Sequence, residues 1–213
     1  MTTLLEAIRT GDVALVRTLV ANAPSLLAAP TEFGVSPLLT AIYVGQGEVA
    51  QAIAELAPPS FFEACALGDL ASVTRHLAES PKLIGEFSSD GFTGLGYAAF
   101  FGHSQITQFL LQEGAQPNMR SRNALGVMPL HSALAGGHLE IARDLLAGGS
   151  DPMAAGGEGW TPLHYAAHLG NEVLVKELLD LGADRNCKNS AGDTPANIAR
   201  AEGHEQLSAM LEG

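Results

Sequence analysis

Basic residues are scarce in this 213-residue chain. Eleven lysines and arginines stand against 23 aspartates and glutamates, a formal net charge of −12. That balance argues against a nucleic-acid partner, since holding a polyphosphate takes positive charge to replace its counterions. Cysteine is nearly absent. Cys65 and Cys187 fall in different segments of the chain, which predicts two reduced thiols and a cytoplasmic setting. No apolar run reaches the ~20 residues that cross a bilayer, so no membrane partner is expected. The opening Met1-Thr2-Thr3-Leu4-Leu5-Glu6 lacks the basic-then-apolar order of a secretory leader. Signatures of chemistry are missing as well: no HExxH, no CxxC, no GxSxG elbow, no GxxxxGK(S/T) loop and no dinucleotide fingerprint. No nucleophile has a base in view, so neither catalysis nor a cofactor is expected. Charged residues make up only 16% and hydrophobic ones 46%, which predicts a packed chain rather than a disordered one.

What the chain does have is period. The stretch from Gly159-Trp160-Thr161-Pro162-Leu163-His164 to Asn186 reads as a turn, a short helix, a glycine break, a second helix and a glycine-ended loop. Thr161 can cap the first helix, with Pro162 at the position where a missing N–H costs nothing. In the second helix Leu174, Val175, Leu178 and Leu179 share one stripe, opposite Lys176, Glu177 and Asp180. Such a unit cannot bury its stripe alone and needs copies beside it. The break glycine recurs as Gly11, Gly45, Gly68, Gly102, Gly137, Gly170 and Gly203, at spacings of 34, 23, 34, 35, 33 and 33. That period alone predicts a stack of helix pairs.

The helix-start motif recurs as Ser36-Pro37-Leu38-Leu39, Met128-Pro129-Leu130-His131 and Thr194-Pro195-Ala196-Asn197, and the loop motif as Gly114-Ala115-Gln116-Pro117-Asn118. With Thr161-Pro162-Leu163-His164 they resemble the ankyrin repeat family over nearly the whole chain. The resemblance implies an all-α, ankyrin-repeat solenoid of stacked antiparallel helix pairs with short β-turn or hairpin fingers. It would form one domain over 1–213, with repeats near 1–30, 31–57, 58–87, 88–122, 123–155, 156–188 and 189–213, the first and last serving as caps. It also implies that His131 and His164 bond backbone and tie neighbouring turns together. His103, His138 and His204 open second helices. Stacked helices stand 8–10 Å apart, too far for such columns to share one metal ion, so no metal is expected.

Two departures stand out. The 23-residue spacing predicts a missing finger near residues 55–60, with Pro58-Pro59 joining one pair directly to the next. A shift of 57 residues sets Leu4-Leu5-Glu6-Ala7 on Phe61-Phe62-Glu63-Ala64 and Gly11-Asp12 on Gly68-Asp69, as though a two-repeat unit had been duplicated. In repeat four Gly94 replaces the helix-start proline and Gly96 the histidine. Glycine weakens a helix interior, so the preferred reading is a loose first turn. The alternative is a close packing partner.

The resemblance leaves two rows of side chains free for contact. The turn tips hold Glu32, Phe33, Asp90, Phe92, Leu125, Val127, Glu158, Trp160 and Asp193; the concave helix ends hold Tyr43, Val44, Phe100, Phe101, His168 and Leu169. Aromatics interleaved with acids suit a basic or amphipathic peptide. For Phe100 and Phe101 the other reading is packing between first helices, in the room left by Gly94 and Gly96. Trp160→Ala is expected to weaken binding with little loss of stability. The chain thus reads as a monomeric, non-catalytic protein-binding module, an adaptor or inhibitor. A self-associating subunit is the alternative, and an enzyme with an unrecognised site is less favoured. Low lysine beside abundant alanine and glycine suggests a GC-rich bacterial genome.

Overall fold

The computed structural model describes residues 3–31 and 34–213, so Glu32 and Phe33 lie outside the described residues. Seven helix pairs follow in order. They are α1 (Leu4–Thr10) with α2 (Val13–Asn22), α3 (Pro37–Tyr43) with α4 (Gly47–Leu56), α5 (Phe61–Leu67) with α6 (Leu70–Glu79), and α7 (Gly94–Phe100) with α8 (Ser104–Gln112). Then come α9 (Pro129–Ala135) with α10 (Leu139–Ala147), α11 (Pro162–His168) with α12 (Glu172–Asp180), and α13 (Pro195–Ala201) with α14 (Glu205–Glu212). The described residues contain no strand. The odd-numbered helices pack on one another in a row, each backed by its even-numbered partner. The fingers are turns closed by backbone bonds, as from Ser88 N–H to the Phe92 carbonyl (2.9 Å) and Gly156 N–H to the Trp160 carbonyl (2.7 Å). No helix among the described residues is long and apolar enough to cross a membrane.

Glycine at the pair junction answers two demands at once. Gly68, Gly102 and Gly170 have φ of 90°, 83° and 65°, a left-handed conformation that side chains disfavour. The next repeat also lays a ring over each. A Cβ there would stand 2.8 Å from His103, 2.6 Å from His138 and 2.5 Å from His204. His103 Nε2 meets the Ala66 carbonyl at 2.9 Å, so the ring that covers the glycine also bonds the repeat before it.

His131 and His164 sew the fingers together, as the resemblance implied. His164 Nδ1 accepts from Thr161 N–H at 3.2 Å, and its Nε2–H donates to the Asp193 carbonyl at 3.0 Å. His131 does the same between Met128 N–H and the Ala154 carbonyl. Both rings are buried, and burial holds both below the usual imidazole range. A depressed folded-state pKa means stability that is complete above the unfolded value of about 6.5 and falls as pH drops below it. The melting temperature should therefore fall between pH 7.5 and 5.5. Asparagine at both positions should flatten that slope, and an unchanged slope would refute the assignment.

The missing finger is confirmed in its effect. Only Ala57, Pro58, Pro59 and Ser60 separate α4 from α5. The buried core divides there, one cluster drawn from α1–α4 and another running from Val35 and Leu39 through α5 to α14. The 57-residue shift reappears as matched local geometry. Thr3 and Ser60 form capping boxes with Glu6 and Glu63, and Asp12 and Asp69 cap the following helices.

Repeat four corrects the preferred reading of a loose turn. Thr93 caps α7 by accepting from Gly96 N–H at 3.0 Å, and Gly94 is buried against the Phe61 ring. A Cβ at Gly94 would lie 2.7 Å from Phe61 Cε1 and 3.0 Å from Cys65 Sγ. The glycine makes room for Phe61, not for Phe100 or Phe101 as the packing alternative supposed.

Candidate functional site

The side chains singled out in the sequence fall into two groups of different character. The first is centred on Tyr97, which the sequence reading did not select. Tyr97 stacks on Phe101 (6.4 Å, 12°) and contacts Phe92 (5.7 Å), and Phe101 contacts Tyr43 (5.6 Å) and Phe100 (5.0 Å). Asp90 sits at the polar edge of these rings. Its carboxylate accepts from the Tyr43 hydroxyl at 2.8 Å, from Ser88 at 2.6 Å, and from the Tyr97 hydroxyl. Burial, then donation to that carboxylate, pushes both tyrosine hydroxyls well above the usual phenol range. Ser89 Oγ reaches the Gly34 carbonyl at 3.4 Å. Residues 88–92 therefore bond directly to α3 and its turn, across the place where a finger is missing. Tyr43, Asp90 and Phe101 make contacts across that place, while Phe92 packs on Tyr97 of its own repeat. Tyr43 and Phe100 are the exposed members, at 41% and 39%.

The second group surrounds a groove of about 520 Å³. Leu125 and Val127 come from one finger, Glu158 and Trp160 from the next, and His168 and Leu169 from the end of α11. These are six of the positions read from the sequence, brought together. Tyr165, Leu134 and Ala135, with Ala124 and Gly157, complete the lining. Tyr165 lies one turn back from His168 and Leu169 on α11, so helical spacing was the signal for it, as it was for Tyr97 behind Phe100 and Phe101. Asp193 does not line the groove; its contribution is the backbone carbonyl that His164 bonds.

The concavity has a cause in sequence. At the two positions before the pair break, repeat four carries Phe100-Phe101 and repeat six His168-Leu169, whereas repeat five carries Ala135-Gly136. Ala135 is exposed, and a Cβ at Gly136 would meet the Phe100 carbonyl oxygen at 2.4 Å. Ala135, a groove-lining residue, is small where its neighbours are large and leaves the hollow, whereas Gly136 admits the backbone of repeat four. Its walls are aromatic: Trp160 meets Tyr165 at 5.0 Å and 60°, and His168 at 5.9 Å and 76°. Leu125 is 55% exposed and Leu169 38%, unusual for large apolar side chains side by side. Trp160 is half-buried in these contacts, so its truncation carries a stability cost beside any loss of binding: an aromatic pair contributes ~0.5–1.5 kcal/mol beyond its buried area.

The nucleophile and base types are committed elsewhere. Cys65 is buried, and burial pushes its thiol far up. Cys187 is half-buried, with Sγ 3.4 Å from Thr161 Oγ1 and 3.8 Å from His164 Nδ1. Burial raises this thiol too, and Nδ1 already accepts from Thr161 N–H, so the pair holds no activated thiolate. Among the described residues no three histidine, cysteine or acidic side chains converge as metal ligands.

The comparisons agree with this architecture. A family description of ankyrin repeats in three copies matches residues 61–155, and the single ankyrin repeat matches residues 158–190. The chain is 38% identical over 95 residues to the NAD-capped RNA hydrolase NUDT12 of Homo sapiens, of Macaca fascicularis and of Pongo abelii. The matched stretch is 43% of this chain and 20% of each relative, so the chain spans about a fifth of the length of the relatives it matches.

Proposed function

This chain belongs to the ankyrin repeat family, and on that premise we propose that the groove between residues 125 and 169 receives a segment of another protein. The observation that carries the reading is the groove itself. Exposed Leu125 and Leu169 stand beside a half-buried tryptophan in a hollow that Ala135 leaves open. An apolar hollow with an aromatic wall and a polar rim has the anatomy of an interaction hot spot. The role is that of a monomeric, non-catalytic adaptor or inhibitor in the cytoplasm. The relatives' hydrolase name is not carried over, because the match spans a fifth of their length and the cysteines and histidines here serve packing and backbone bonds. The other candidate contacts Asp90, Phe92 and Phe101 are set aside in favour of their packing and bonding roles; Tyr43 and Phe100 stay available at the margin.

A basic partner fits the charge. Residues 123–213 hold 12 acidic and 5 basic side chains, and such a field speeds encounter with a cation-bearing surface. Trp160 is the one tryptophan in the chain, so its fluorescence reports on the groove. Peptides selected from a random library on the full chain should shift that emission saturably and associate more slowly as salt is added. Tight binders that leave the emission unchanged would place the site elsewhere.

A further inference from the structure

Glu158 is the one non-glycine among the described residues with a left-handed backbone, at φ 57° and ψ 16°. Its neighbours dictate that conformation. The turn is closed by Gly156 N–H to the Trp160 carbonyl (2.7 Å), and Ser190 N–H donates to the Glu158 carbonyl (2.8 Å). Gly157 is pressed so closely on the preceding finger that a Cβ would stand 2.2 Å from the Leu125 carbonyl oxygen. Every other left-handed position described is occupied by glycine, and glycine at 158 would relieve the strain. The chain instead holds an exposed carboxylate there. Among the described residues that carboxylate has no hydrogen-bond or ion-pair partner. Strain retained beside a groove points to use.

The carboxylate faces the aromatic corner. Glu158, Trp160 and Tyr165 line the same groove, with the two rings 60° apart. The Glu158 charge, after burial, adds to the upward displacement of the Tyr165 hydroxyl. No lysine or arginine lines the groove. Of the other titratable groups at hand, His168 meets Glu202 through Nδ1 at 3.0 Å. Arg120 is bonded to the carbonyls of Gly126 and Ala155. A cation set against two aromatic rings gains from their quadrupoles, and a carboxylate at the rim adds a directional charge-assisted bond.

We infer that the corner of Glu158, Trp160 and Tyr165 is a subsite for a cationic side chain, arginine or lysine, of the bound segment. This rests on the groove being the docking surface and adds what the partner must present there. The adjoining Leu125 and Leu169 call for an apolar residue next to the cation.

The test uses the full chain and a peptide selected on it from a random dodecamer library, followed by Trp160 emission. The selected peptide should carry a basic residue beside an apolar one. Replacing that basic residue by citrulline, or Glu158 by glutamine, should each weaken binding about 10-fold. Both changes together should be little worse than either, as for a direct pair. Glu158→Gly should bind as weakly as Glu158→Gln, yet melt about 2–4 °C higher through relief of the left-handed strain. Peptides that move Trp160 emission but tolerate citrulline and Glu158→Gln within twofold would overturn the cation subsite and leave the groove standing. Peptides that bind without moving Trp160 emission would remove both.

Discussion

Ala135→Phe is expected to weaken peptide binding by about 30-fold or more, the scale of a hot-spot contact of about 2 kcal/mol, with almost no change in melting temperature. The argument runs through one column of the repeat. The equivalent position in repeat four is Phe100, which lies 39% exposed at the end of α7 without harm to the fold. Ala135 is likewise exposed at the end of α9, so a ring there displaces no core side chain. The helix loses only a few tenths of a kcal/mol in propensity. The ring would instead stand in the hollow between Leu125 and Leu169 and fill the space a partner side chain needs. This substitution is a cleaner probe than Trp160→Ala, because Trp160 also packs on Tyr165. Fluorescence titration of the selected peptide, beside thermal melting of both proteins, decides the matter. Undiminished affinity in the Ala135→Phe chain would show that binding does not use the groove.

Gly94→Pro is the second. By motif alone it restores the helix-start proline found at Pro37, Pro129, Pro162 and Pro195 and should stabilise α7. The packing reverses the sign. A ring carbon at that Cβ would be pressed to 2.7 Å from Phe61 Cε1 and 2.9 Å from Cζ, with Cys65 Sγ at 3.0 Å behind. Phe61 is only 3% exposed, so it has no free space to move into. Overpacking of this kind costs roughly 1–3 kcal/mol, or a melting temperature lower by about 2–10 °C for a chain of this size. Phe61→Ala leaves a cavity of its own, and the two defects should offset each other. The double variant should therefore be more stable than the sum of the single losses, by about 1 kcal/mol or more. A higher melting temperature for Gly94→Pro alone would mean that the glycine is merely a weak helix start.

The sequence by itself determined the repeat. Break glycines 33 to 35 residues apart, helix-start prolines and a four-leucine-type stripe are local signals, each readable within one unit, and they sufficed for the helix pairs, the family and the missing finger. The roles of His131 and His164 came with the family resemblance, and their backbone bonds recur with the motif. What a residue does between units was not legible, because it depends on which neighbour stands opposite. Asp90 and Trp160 look alike in the string, each a polar or aromatic side chain at a turn tip. The structure gives Asp90 two tyrosine hydroxyls and a serine to hold, while Glu158 near Trp160 is left with none among the described residues. Gly94 looks like weakness until Phe61 is seen against it. The groove, too, belongs to no single repeat. It arises where Ala135 falls between larger neighbours, and only the stacking of one unit on the next turns a small residue into a hollow.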